Sequence, residues 1–187
     1  GHKGLGGPAG TGLLILGEGV RPRPLLYGGT GADTFNHDMP DTLPERYEAG
    51  TPNVPGLAGL AAALAEFSGT GLDDHAHPAL ARARQLREGL LATGRFRLPD
   101  TDSDAWGVPV VSGSVLDAAG EPIDSAEVAD ALWSLGIAAR GGFHCAPLVH
   151  AAYSPPTGLI RFSPGPLTTT DEVDAAVSAV VGIAGAR

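Results

Sequence analysis

Cysteine is the first scarcity: 187 residues contain one, Cys145. A single thiol excludes an internal disulfide, and that suits a reducing, cytoplasmic setting. Basic residues are the second. Twelve Lys and Arg stand against 21 Asp and Glu, for a formal net charge of −9. The basic positions are scattered, so no stripe offers itself to a phosphate backbone, and nucleic acid is excluded as the expected partner. Long apolar runs are the third. Those near Leu57 to Ala65 and Ala175 to Ala186 are broken by Gly or Ser and fall well short of the ~20 residues that a membrane helix needs. A signal-like apolar segment is missing too. The chain opens Gly1-His2-Lys3 without methionine, a start that is processed, engineered or cut from something longer. What remains is enough for one large domain or two small ones, each with a core.

Glycine and proline punctuate the first third. GHKGLGGPAGTG, residues 1–12, is too rich in glycine for an element, and the short apolar run Leu13 to Leu16 reads as a buried strand. The G-x-G-x-x-A match from Gly4 to Ala9 has no strand before it, and Lys3 precedes the glycines, so a nucleotide site is rejected. Leu25 to Tyr27 is a possible edge strand, and Gly28 to Phe35 a second glycine-rich loop. His37 and Asp38 fall in a polar stretch with too few ligands for a metal. Pro55 opens a helix over 56–67 with Leu57, Leu60, Ala61 and Leu64 on one face. Asp73, Asp74, His75 and His77 precede Pro78 and a second helix to about Thr93, where they read as N-terminal residues, not metal ligands. That helix carries Leu80, Ala83, Leu86 and Leu90 at helical spacing, and Gly94 closes it.

The remainder alternates strand and helix. Arg95 to Trp106, with its TDSD, reads as loop and Val108 to Leu116 as strand. Asp124 and Glu127 start a helix that Gly136 stops, Ile137 to Ala139 and Gly158 to Ser163 are short strands, and Thr169 with Glu172 caps a last helix to about Ile183. This pattern is an α+β layer.

Between those two short strands lies RGGFHCAP, residues 140–147. A thiol attacks as thiolate from an ordinary pKa of about 8.5, and cations such as Arg140 and His144 on a partly exposed loop favour that form. Gly141 and Gly142 add backbone freedom and Pro147 stiffens the exit. A lone cysteine is also a good small core residue, and the loop by itself leaves both readings open. Lys3, beside a glycine-rich wall, is a candidate amine for a Schiff base or an ordinary surface lysine.

Read together, GHKGLGGPAGTG, RYEAGTPNVPGLAGL, RGGFHCAPLVH and GLIRFSPGPLTTTDEVD resemble, in order and spacing, the fold-type I, class V aminotransferase family in its cysteine desulfurase and selenocysteine lyase branch. The resemblance covers essentially the whole chain. It implies an α/β fold, present in part: residues 1–77 as the end of the large domain that binds pyridoxal 5′-phosphate, and 78–187 as a linking helix and a small α+β carboxyl-terminal domain. It further implies a missing amino-terminal half, a homodimer, and a sulfur-accepting partner protein. Lys3 is similar to the family lysine that holds the cofactor covalently, and His2 to a ligand of its phosphate. Thr51 resembles the threonine that reaches the neighbouring subunit's phosphate. Arg161 resembles the arginine that clamps the substrate carboxylate, a task suited to a planar guanidinium fork. Cys145 matches the sulfur-accepting cysteine, with His144 and Arg140 flanking the substrate.

The implied chemistry has Lys3 take the Cα proton of cysteine or selenocysteine while Cys145 attacks the substrate's sulfur, leaving an enzyme persulfide and alanine. Two departures touch substrate detail: Phe143 replaces the first histidine of RxGHHC, and Thr168-Thr169 replaces an asparagine-threonine pair. Other readings stay open. A C–S lyase, selenocysteine lyase or epimerase of the same family needs Lys3 but not Cys145. A non-catalytic fragment needs neither, and a Cys145–His150 protease dyad lacks an orienting third group.

Overall fold

The computed structural model describes residues 1–31, 35–70, 72–99, 107–153 and 155–187, with the backbone alone for 67–70 and 72–75. The side chains of Asp73, Asp74 and His75, all of TDSD and part of the 28–35 loop lie outside the described residues. Two compact units divide the chain, Gly1–Thr70 and Gly71–Arg187.

The first unit is loop followed by one helix. Helix α1, Val54–Thr70, starts where Asn53 Oδ1 accepts the Gly56 N–H at 3.1 Å, a side-chain cap for one of the four orphan donors. The glycine-rich residues 1–11 fold back on α1. Gly7 donates to the Gly1 carbonyl at 2.9 Å, and a Cβ on Gly7 would stand 2.6 Å from Leu60 Cδ1, so a side chain there would force the Leu60 methyl to shift. Leu60 is buried, but Leu57 and Ala61 on the expected face are exposed.

Neither apolar run in this unit forms a strand. Residues 13–16 and 25–27 are irregular, and Leu13, Leu14, Ile15, Leu25, Leu26 and Tyr27 are all exposed. The expectations of a buried strand and an edge strand are corrected. A strand exists through a hydrogen-bonded neighbour, and none of the three described strands lies in this unit.

The second unit has its own core. Helix α2, Leu72–Ala92, begins earlier than the proline suggests, with Pro78 inside it, where the missing N–H costs one rung of the helical ladder. Then follow β1, Phe96–Arg97, β2, Val111–Val115, α3, Ser125–Ser134, α4, Pro147–Tyr153, β3, Ile160–Phe162, and α5, Thr170–Gly185. The strands make an antiparallel sheet in the order β1-β2-β3, with Phe96 opposite Val115 and Ser112 opposite Arg161. Helices α2 and α3 pack on the sheet and α5 packs on both helices. Ala83, Leu86, Leu90, Val128, Leu132 and Val180 are among the residues buried together there with Phe96, Val111, Val115, Ile160 and Phe162. Fully burying one such side chain stabilises by about 1.5–3 kcal/mol.

The caps follow the sequence. Asp124 accepts from Ala126 N at 2.7 Å and from Glu127 N at 3.4 Å, and Thr169 with Glu172 forms a reciprocal capping box on α5. Gly94 and Gly136, with φ of 66° and 78°, end α2 and α3. Residues 137–139, expected as a strand, are irregular, and only Arg140 pairs, as an isolated bridge to Arg161. Among the described residues no helix is long and apolar enough to cross a membrane, and no three His, Cys, Asp or Glu side chains gather to hold a metal.

Candidate active site

In the second unit the site is built on β3. Pairing with β2 fixes Arg161 opposite Ser112, and Arg161 exchanges both backbone bonds with Arg140, at 3.0 and 2.8 Å. The next pair continues the ladder: Leu159 N–H donates to the Gly142 carbonyl at 3.2 Å. The start of the cysteine loop is thereby laid alongside the start of β3. A second tie comes from α3, whose buried first residue, Ser125, accepts the Gly142 N–H at 3.0 Å and donates to the Thr157 carbonyl. Close approach requires glycine at two positions. A Cβ on Gly141 would collide with the Ser125 carbonyl, and one on Gly158, whose φ is 75°, would lie 2.5 Å from the Gly142 oxygen.

Beyond Gly142 the chain reverses. Ala146 N–H donates to the Phe143 carbonyl at 2.8 Å, and the two residues between, His144 and Cys145, have φ of 50° and 62°. For residues other than glycine the left-handed region costs roughly 1–2 kcal/mol each, a strain that persists only where the surroundings impose it. Its result is an exposed thiol. Pro147 then opens α4 at its first residue, the position that tolerates the lost N–H.

His144 turns inward beside the exposed thiol. Its Nε2 lies 3.0 Å from the Leu159 carbonyl; a carbonyl only accepts, so Nε2 carries the proton and Nδ1 is left as an acceptor. Nδ1 is buried and has no hydrogen-bond partner among the described residues. Burial is the main cause that holds the imidazole's pKa below its ordinary 6.5; the Leu159 bond opposes it, and the charges of Arg161, His150 and Arg140 add to the lowering. The His144 ring sits 5.3 Å from buried His150, which Phe143 meets edge-on at 5.6 Å. Phe143 thus adds an apolar edge to this cluster.

Arg161 is half-buried, and its Nε is buried with no hydrogen-bond partner among the described residues. A buried guanidinium donor left without an acceptor is costly, and an anion is a partner of suitable charge. Arg140 is exposed.

His2, Lys3 and Thr51 belong to the first unit. All three are exposed. The Lys3 carbonyl accepts from Gly6 N–H at 2.9 Å, so the lysine stands on a glycine turn. Thr51 follows Gly50, whose φ is 98° and whose N–H donates to the Gly29 carbonyl at 2.8 Å. Sequence reasoning missed Ser125, whose partners lie 17 and 32 residues away, and α4, for which Pro147 at a first helical position was the available signal.

The sequence profile of the family Aminotransferase class-V matches residues 1–176. Cysteine desulfurase CsdA of Escherichia coli K12 is 35% identical over 196 residues, covering 96% of this chain and 43% of the relative. A protein named "Probable cysteine desulfurase" from Methanothermobacter thermautotrophicus is 27% identical over 191 residues, covering 99% of this chain and 46% of the relative. Among solved structures, the apo cysteine desulfurase of Thermococcus onnurineus NA1 superposes with a TM-score of 0.73 at 25% identity, over 86% of this chain and 39% of that one. The cystine C-S lyase C-DES, in complex with its product cysteine persulfide, gives a TM-score of 0.58 at 20% identity over 85% of this chain and 36% of that one, a likeness of fold. The chain spans less than half the length of the curated relatives it matches. It belongs to the class V aminotransferase family and carries part of the fold-type I α/β architecture.

Proposed function

We propose that this chain supplies the lysine, the thiol and the carboxylate clamp of a pyridoxal-phosphate cysteine desulfurase. The observation that carries the reading is the presence, within one unit, of an exposed thiol on an imposed left-handed turn and of an arginine whose buried donor lacks an acceptor among the described residues. The donor set of the first unit fits the cofactor's chemistry: a primary amine at Lys3 for its aldehyde, and an imidazole at His2 and a hydroxyl at Thr51 for its phosphate, all exposed. Pyridoxal phosphate, when bound, supplies the electron sink that lets bonds at the amino acid's Cα and Cβ break. Lys3 moves the Cα proton, and Arg161 orients the substrate by its carboxylate. Cys145 Sγ bonds to the substrate sulfur as the Cβ–S bond breaks. Thiol plus cysteine becomes persulfide plus alanine, with atoms and protons conserved. The assembly that does this is a homodimer in the cytoplasm, with a partner protein that accepts the sulfur.

The test joins the chain to the preceding sequence that the family likeness implies. In Cys145→Ser, cofactor absorbance persists and sulfide output from cysteine falls at least a hundredfold. Full sulfide output in that variant would overturn the reading in favour of an elimination that bypasses Cys145. Borohydride reduction and peptide mapping place the cofactor on Lys3; a label on another lysine removes Lys3 from the site.

A further inference from the structure

We propose that Ser125 is the positioning residue of the cysteine loop, its hydroxyl locking the start of the loop to the approach of β3. The proposal rests on the reading in which Cys145 accepts sulfur.

The platform is rigid. Ser125 is buried, opens α3, and sits behind the Asp124 cap, while Val128 and Leu132 anchor the same helix in the core. From there one hydroxyl serves two segments, donating to the Thr157 carbonyl and accepting from Gly142 N–H. A hydroxyl is the smallest side-chain group that donates and accepts at once. Alanine leaves both backbone groups short of a partner in a part-buried place, and unpaired buried groups are costly. Gly141 packs on the Ser125 backbone and Gly158 on Gly142, so three segments meet here at backbone contact.

The consequence reaches the thiol. Gly142 is three residues before Cys145, and the left-handed pair His144-Cys145 is held between the latched Gly142 and the first turn of α4. Arg161 lies two residues after Leu159, which pairs with Gly142. Ser125 therefore sets the placement of the thiol loop against the strand that bears the carboxylate clamp. With the latch open, Arg161 keeps its backbone pairing and the substrate still binds, but the sulfur acceptor is no longer aimed.

The experiment follows amide hydrogen exchange in the chain as it stands, without cofactor or substrate. Ser125→Ala is expected to speed exchange at Gly142 and Ala146 about tenfold, the loss of roughly one hydrogen bond's protection. Ser125→Thr, which keeps the hydroxyl, restores it. Thr169→Ala, which removes a cap of similar weight from α5, leaves the loop's exchange unchanged. Unchanged exchange at Gly142 in Ser125→Ala, or equal acceleration in Thr169→Ala, overturns the latch. In the assembled enzyme, Ser125→Ala lowers kcat about tenfold at constant KM for cysteine. Unaltered kcat beside accelerated exchange overturns the positioning role and leaves the desulfurase reading intact, whereas turnover independent of Cys145 overturns that reading alone.

Discussion

Residues 1–70 and 71–187 carry similar glycine-broken apolar runs, yet one part leaves them bare and the other buries them. In the first, Leu13, Leu14, Ile15, Leu25 and Leu26 are exposed, and among the described residues Leu60 and Met39 are the buried large apolar ones. In the second, three helices and a sheet share one cluster, with Leu90, Leu132 and Val180 wholly buried. Hydrophobic content is thus a poor guide to what a stretch can do alone. Burial requires an opposing face, and the second part contains both faces of its core. The candidate residues divide the same way: in the first part His2, Lys3 and Thr51 are exposed, whereas the second holds a thiol loop shaped by its own hydrogen bonds.

The sharpest way to break this comparison is to cut the chain between Thr70 and Gly71. Residues 71–187 alone are expected to unfold cooperatively in a calorimeter, while 1–70 alone shows no transition; a cooperative transition in 1–70 would end the distinction. Next in size, Leu132→Ala, at a wholly buried site, costs about 2–5 kcal/mol. Leu25→Ala, at 95% exposure, stays within about 0.5 kcal/mol. Paired urea titrations check both, and a Leu25 loss matching that at Leu132 would show that the first part has a hidden core. Smaller again, Thr169→Ala removes the α5 capping box and costs about 1 kcal/mol, read in the same titration. An unchanged midpoint would show that α5 is held by packing alone.

Legibility tracked locality. The Asp124 and Thr169 caps were readable because a cap and its donors lie within three residues. The 13–16 run was misread because an apolar tetrapeptide is silent about whether a neighbouring strand exists. Helix α4 is not legible because its seven residues, PLVHAAY, are too few to show a period, and Pro147 fits the stiff exit of a loop as well as the opening of a turn. The loop residues Arg140, His144 and Cys145 stand out through the chain's one thiol beside cationic neighbours and glycines, and the strand residue Arg161 through family resemblance. Ser125 does not, since nothing in a serine at a helix start announces a carbonyl 32 residues away.

His144 gives the finest test of the second part's prebuilt loop. Burial, followed by the charges of Arg161, His150 and Arg140, keeps its folded pKa below the ordinary 6.5 against the pull of the Leu159 carbonyl. Between the folded value and 6.5 the unfolded chain binds more protons than the folded one, so stability rises with pH there. The contribution of neutral His144 is therefore complete above about pH 6.5 and is lost as pH falls below it, levelling off beneath the folded pKa. His144→Gln keeps a donor for Leu159 and cannot titrate. In urea titrations at pH 7.5 and 5.5, the wild-type midpoint should fall further than that of His144→Gln, with the difference confined to this window. The effect is small because the ring is only part-buried. Equal slopes in the two proteins would mean that His144 takes up its proton in the folded loop as easily as in water, and that the loop is looser than its bonds to Leu159 and Ser125 imply.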